Sequence, residues 1–264
     1  MAKRRRIRWD RVLIVFGPIF LLILLIHVGC RHRGETESSE PDALTSVDSM
    51  ELTESSETSE AVPAQAPFRD LIVVVDPGHG GKDSGATTKD ESRLEKDDNL
   101  RLGLAVAEKL RSYPHIQVIM TRDTDVFVGL QERCDIANNA NADYFISLHR
   151  NVSKNGKGVE IWINNDYTPM EKLLAEYIME LLEKAGISDN RGTQTGFRNN
   201  NGVDDYMVNS HTNMPSCLIE MGFMNSLEDN RNFDDKLDQY ADAISGALIE
   251  LVTDKGIYTQ DGVQ

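Results

Sequence analysis

Residues 68–256 predict an α/β fold: a single three-layer domain with a mostly parallel or mixed sheet and helices on both faces. Three observations carry that expectation. Short apolar, β-branched runs alternate with segments of helical periodicity in the order βαβαββαβα, which calls for a sheet covered on both sides. The stretch, about 190 residues long, is a normal size for one core. Several strand runs end in an ionisable residue, and open α/β sheets keep their sites at strand C-termini.

The first strand is 71–75, where Leu71-Ile72-Val73-Val74-Val75 fits a pleated, buried surface. Asp76-Pro77-Gly78 stops it and delivers His79 into the glycine-rich turn Gly80-Gly81. A polar loop leads to a helix over 99–113, with Leu100, Gly103, Leu104, Ala107 and Leu110 at helical spacing and Pro114 closing it. Strand 117–120, helix 130–139 and strand 144–148 follow, the last ending at His149. Strand 158–163, helix 170–185, strand 217–220 ending at Glu220, and helix 236–253 complete the series. Residues 196–213, with Asn199-Asn200-Asn201-Gly202 and Asp204-Asp205, read as a surface loop, and 257–264 as a C-terminal tail.

The 67 residues ahead of this domain have another character. Residues 1–11 are a basic cytoplasmic tail, and 12–29 carry no charged Asp, Glu, Lys or Arg, so they predict a transmembrane signal anchor with the domain outside the cytoplasm. A lipoprotein signal ending at Cys30 is the alternative. Residues 30–67 are rich in Ser, Thr and Glu and predict a disordered linker. That linker supplies much of the net charge of −15, which argues against nucleic acid as a partner. Cys30, Cys134 and Cys217 form no CxxC and no even set, so a disulfide framework is not expected.

Chemistry concentrates at four residues. A hydrolytic zinc site needs three His, Asp or Glu ligands and one open position. His79 and His149 share one local design, an apolar strand that ends in an imidazole. Glu95, just ahead of the 99–113 helix, is either the third ligand or a charge favoured by the helix dipole. Glu220 ends a further apolar strand, where burial raises a carboxyl pKa toward a value useful for proton transfer.

At these residues the chain resembles the zinc-dependent N-acetylmuramoyl-L-alanine amidases of the amidase_3 type, over essentially all of 70–254. Asp76-Pro77-Gly78-His79-Gly80-Gly81 with Asp83-Ser84-Gly85-Ala86 resembles the first zinc motif. Glu95-Lys96-Asp97 with Asn99-Leu100 resembles the second. Thr121-Arg122-Asp123-Thr124-Asp125, Leu130, Arg133 and Ala137-Asn138 lead to Ser147-Leu148-His149, the third. Pro215 through Glu220-Met221-Gly222-Phe223, then Asn225, resembles the motif that brings the catalytic glutamate.

The resemblance implies one Zn²⁺ per chain on His79, Glu95 and His149, with Glu220 as the catalytic carboxylate. It implies cleavage of the amide between N-acetylmuramic acid and L-alanine, metal polarising water while Glu220 moves the proton. Arg150 stands where the family has a small residue. It reads as a substrate contact together with Asn151, or as a side chain projecting to solvent. Expected partners are peptidoglycan, the membrane through the N-terminal segment, and a protein activator as a further candidate. A catalytically silent wall-binding or scaffolding domain is the competing reading.

Overall fold

The structure, a computed structural model, describes residues 68–199 and 202–263. The expected basic tail, anchor, Cys30 and linker lie outside the described residues. Among the described residues no helix is long and apolar enough to cross a membrane.

The predicted strands form β1 (Leu71–Pro77), β2 (Ile116–Met120), β3 (Tyr144–Asn151), β4 (Val159–Ile163) and β8 (Ser216–Phe223). Together with β5 (Asn190–Thr195) they make one six-stranded sheet in the order β2-β1-β3-β8-β4-β5. The first four strands of that order run parallel, β4 is antiparallel to β8, and β5 is parallel to β4. The sheet is therefore mixed. Only a short loop separates β3 from β4, too few residues for the dozen or more that a parallel crossover needs, so β4 must reverse direction.

The two faces are covered unequally. α1 (Glu95–Arg111), α3 (Pro169–Lys184) and α6 (Leu237–Asp254) pack on one face over the larger core, which holds Val73, Val75, Ile146, Leu148 and Ile219. On the other face, α2 (Leu130–Asn139) and the one-turn α4 (Met207–Ser210) cover a smaller cluster that includes Val74, Phe145 and Leu218. Side chains alternate along a strand, so Asp76, Ser147, His149, Glu220 and Glu160 share this second face. They extend toward the strand ends beyond the apolar cluster that the two short helices cover.

Several boundaries differ from expectation for identifiable reasons. α1 begins at Glu95, four residues before the apolar periodicity, because Glu95, Asp97 and Asp98 occupy its first turn and Lys109 and Arg111 its last, both favoured by the helix dipole. α3 starts where a capping box forms between Thr168 and Glu171 with Pro169 in the first turn. The loop expected at 196–213 contains the hairpin β6 (Phe197–Asn199) and β7 (Gly202–Asp204), followed by α4. β5 and α5 (Leu227–Asp235) were not expected, since β5 has no apolar alternation and α5 only two apolar residues, Leu227 and Phe233.

The residues expected as a tail instead fold into the hairpin β9 (Tyr258–Thr259) and β10 (Gly262–Val263). Val263 exchanges backbone hydrogen bonds with Arg69 at 3.2 and 2.8 Å, and the Tyr258 hydroxyl donates to the Pro114 carbonyl at 2.5 Å. The hairpin gives Arg69, at the start of the domain, the backbone partner it would otherwise lack.

α1 lies so close to β1 that only glycine fits at position 103. A Cβ there would stand 2.6 Å from Cγ of Pro77, a ring atom that cannot swing aside. Gly103→Ala gains about 1 kcal/mol of helix propensity, but overpacking of this kind costs about 1–3 kcal/mol. Because the Pro77 ring cannot yield, the cost should lie in the upper part of that range, and a net loss of up to about 2 kcal/mol is expected in denaturant unfolding. Unchanged or greater stability would mean that the helix can slide on the strand.

Candidate metal centre

His79, Glu95 and His149 come together although they arise from three different elements. His79 leaves β1 with a φ of 60°, a left-handed conformation that costs a non-glycine residue roughly 1–3 kcal/mol unless its surroundings hold it. Two buried arginines do so. Arg133 donates to the carbonyls of Pro77 at 2.8 Å and His79 at 2.7 Å, and Arg122 donates to those of Pro77 at 2.8 Å and Gly78 at 2.9 Å. Arg133 is itself held by the fully buried Asp76, which also accepts from Thr121 and Ser147. Gly78 leaves room for the second imidazole, since a Cβ at 78 would lie 2.2 Å from the ring of His149.

Glu95 is 4% exposed and sits between the two rings. Its Oε1 lies 3.2 Å from His79 Nε2 and 3.0 Å from His149 Nδ1, and all three ligand atoms fall within 4.8 Å of one another. A tetrahedral zinc ion with ligands at about 2.0–2.2 Å sets its ligand atoms about 3.3–3.6 Å apart, and both distances from Glu95 lie just below that, so the three side chains are gathered closely enough to converge on one ion after small adjustments. Supporting bonds fix each member. Asp83 Oδ2 meets His79 Nδ1 at 2.9 Å, while Glu95 Oε2 accepts from the Ala86 amide at 2.7 Å and Oε1 from the Arg150 amide at 3.1 Å. Second-contact partners of this kind orient metal ligands.

The electrostatics suit a cation. Burial alone would lower the His79 imidazole, but hydrogen bonds and attraction from Glu95 and Asp83 outweigh it and lift the pKa to about 9. Burial alone would raise the Glu95 carboxyl, yet its bonds to His149 and His79 hold it far below the usual carboxylate range. The donor set, two imidazoles and an ionised carboxylate, is the hydrolytic zinc type.

Glu220 stands beside this triangle. It pairs in register with His149 on one side and with Glu160 on the other. Its Oε2 is buried and has no hydrogen-bond partner among the described residues, an arrangement that a functional group tolerates and a structural one avoids. Burial pushes its pKa up to about 7, opposed by the attraction of His149 and, more weakly, His79, and helped by the neighbouring Glu95 and Glu160. A carboxyl poised there can accept and return a proton near neutral pH.

Of the six sequence-predicted site residues, four thus gather at one point. Asn151 lies on the same face and donates to Glu160 at 2.7 Å. Arg150 neither meets substrate nor projects to solvent: its side chain is fully buried behind the site, bonded to Asp98 at 2.6 Å and Asn230 at 2.7 Å. The reason is strand alternation, which turns residue 150 to the face opposite His149. Glu160 and Asp76 were not singled out in the sequence. Glu160 carried a signal, since Val159-Glu160-Ile161-Trp162-Ile163 sets a carboxylate at an alternating position of a buried strand.

The family profile described as N-acetylmuramoyl-L-alanine amidase matches residues 73–250. The chain belongs to this family. Among relatives, the endolysin of Bacillus phage SPP1 is 35% identical over 164 residues, covering 60% of this chain and 56% of the phage protein. The "Probable cell wall amidase LytH" of Staphylococcus epidermidis is 30% identical over 174 residues, 65% of this chain and 54% of that protein. The chain thus matches little more than half the length of these relatives. The crystal structure of N-acetylmuramoyl-L-alanine amidase from Clostridium difficile 630 superimposes with a TM-score of 0.64 at 32% identity, covering 71% of this chain and 100% of the other. The three-layer fold with its mixed sheet is therefore the fold of these amidases.

Proposed function

We propose that this protein is a zinc-dependent peptidoglycan hydrolase that cleaves the amide between N-acetylmuramic acid and L-alanine of the stem peptide. The observation that carries this reading is a buried, unpartnered Glu220 carboxylate in register with one member of the His79, Glu95 and His149 triangle. His79, Glu95 and His149 hold the ion, which when bound supplies Lewis-acid polarisation and acidifies water. Glu220 accepts the proton of the attacking water and delivers it to the departing L-alanine nitrogen, so one residue serves as base and then acid. The low-dielectric surroundings of Glu220 strengthen its interaction with the charge that develops beside it. Incubating the purified protein with zinc and sacculi is expected to release peptides with new L-alanine amino termini. A silent wall-binding domain would release none.

Metal uptake provides a separate check. With His79 near 9 and Glu95 far below neutrality, the metal-free site holds a proton on His79 at pH 7, and the ion must displace it. Calorimetric titration of zinc in buffers of different ionisation enthalpy is expected to report release of about one proton at pH 7, and affinity should rise with pH toward 9. Affinity that does not change between pH 6 and 9 would contradict the assignment of His79.

We further assign the wall-facing, membrane-tethered setting to this domain, with residues 12–29 as the anchor and Cys30 lipidation as the alternative. One feature of the domain supports it. Arg69 precedes the N-terminal end of β1 and His79 follows its C-terminal end, and the strand between them is roughly 23 Å long at ~3.3 Å per residue, so the domain's own chain starts at the end of the sheet opposite the site. Labelling of an introduced cysteine in 31–67 by a membrane-impermeant reagent on intact cells tests it, and protection from the reagent would reject it.

A further inference from the structure

The second face of the sheet offers unlike surroundings on the two sides of Glu220. Toward β1, a cavity of about 370 Å³ includes His79 and His149 in its wall and is closed mainly by Phe127, Val128, Leu130, Met207 and Val208. Of its charged lining residues, Asp76 and Arg133 are bonded to each other and Asp83 to His79. Toward β5 the row is polar. Glu160 follows Glu220 in register and is held by Asn151 at 2.7 Å and Trp162 Nε1 at 3.2 Å. Arg191 of β5 then donates Nε to Glu160 at 2.7 Å, and its guanidinium lies 5.0 Å from the ring centroid of Phe223.

We infer that Arg191 is a specificity-determining residue that binds a carboxylate of the peptide beyond L-alanine. The inference rests on the amidase reading above and names which side of the site receives the peptide. An N-acetylated sugar is uncharged and carries apolar faces, which suits the cavity at β1. A carboxylate-bearing peptide would lose its hydration there without a partner. Across β8 and β4 it meets Glu220 and Glu160, both repulsive to it, so a cation must answer on that side. Arg191 supplies one. The side chain is 43% exposed, only Nε is engaged by the described residues, and its planar Nη pair keeps the fork geometry that carboxylates accept. Contact with Glu160 and Phe223 holds that fork in place before substrate arrives, which lowers the ordering cost of binding. Two strand spacings separate Arg191 from Glu220, roughly 10 Å, or about three residues of extended peptide at ~3.3–3.6 Å each.

The test compares two muropeptides with one glycan and one peptide sequence, the first with a free carboxylate about three residues from the scissile amide, the second with that group as a carboxamide. The zinc-loaded protein is expected to favour the free acid by about 10–100-fold in kcat/KM, carried by KM. In Arg191→Ala the ratio is expected to fall to near 1, and Arg191→Lys to restore part of it. Zinc content and thermal unfolding accompany each variant, so a misfolded protein is recognised. A ratio that Arg191→Ala leaves unchanged overturns the inference, as does an equal fall on both substrates, which would make Arg191 only a support for Glu160. If neither muropeptide is cleaved by the unaltered protein, the amidase reading itself fails, a distinguishable result.

Discussion

Glu220→Gln is expected to abolish turnover while leaving the metal in place. The substitution preserves size and shape, so the strand pairing of Glu220 with His149 and Glu160 should persist. What it removes is the proton acceptor. Positioned acid-base groups contribute about 10²–10⁴ in rate, and here one carboxylate serves both halves of the reaction, so the loss should lie at the upper end. The fall should be in kcat with KM little changed, because Glu220 acts on the reacting atoms and not on remote binding. Zinc stoichiometry by mass spectrometry should stay at one per chain, since His79, Glu95 and His149 make their contacts without Glu220. Thermal stability should hold or rise, because an ionisable group with a buried, unpartnered oxygen is replaced by a neutral one. Activity near the original level in a muropeptide-release assay would remove Glu220 from the mechanism.

Much of this site can be read from the sequence because its residues announce themselves locally. His79, His149 and Glu220 each terminate an apolar strand, and the sheet edge does the rest by bringing three such ends to one level. Glu95 was harder: the acidic run 95–98 satisfies a helix dipole as well as a metal, and only its 3.0 and 3.2 Å approaches to the imidazoles separate Glu95 from Asp97 and Asp98. The order of strands in space was not legible. That β8 inserts between β3 and β4 depends on pairings more than fifty residues apart, which no local period encodes. The same non-local logic hid Arg191, on a polar strand with no apolar alternation, and turned 257–263 from a tail into a hairpin through its pairing with Arg69. Cys134 and Cys217 are both buried, and desolvation raises both thiols, that of Cys134 to about 11, so neither is a reactive thiolate.

Arg150→Ala is expected to destabilise the fold by about 3 kcal/mol rather than to weaken substrate binding. Its guanidinium is buried against Asp98 at 2.6 Å, Asn230 at 2.7 Å and the ring of Phe233 at 4.5 Å, which ties β3 to α1 and α5. Removing one partner of a buried pair typically costs 3–5 kcal/mol because the other charge is stranded. Asp98 is not wholly abandoned, since Arg93 Nε also donates to it at 2.6 Å, and that places the loss at the low end of the range. The Phe233 ring would lose the nearest of the three guanidinium groups over it, so a lysine, a point charge without a planar face, should recover little. Denaturant unfolding should therefore move strongly, while kcat/KM measured well below the transition changes little, because the Arg150 backbone amide that donates to Glu95 Oε1 is retained. A KM raised tenfold or more with stability unchanged would return Arg150 to the substrate groove, against the direction in which β3 turns it.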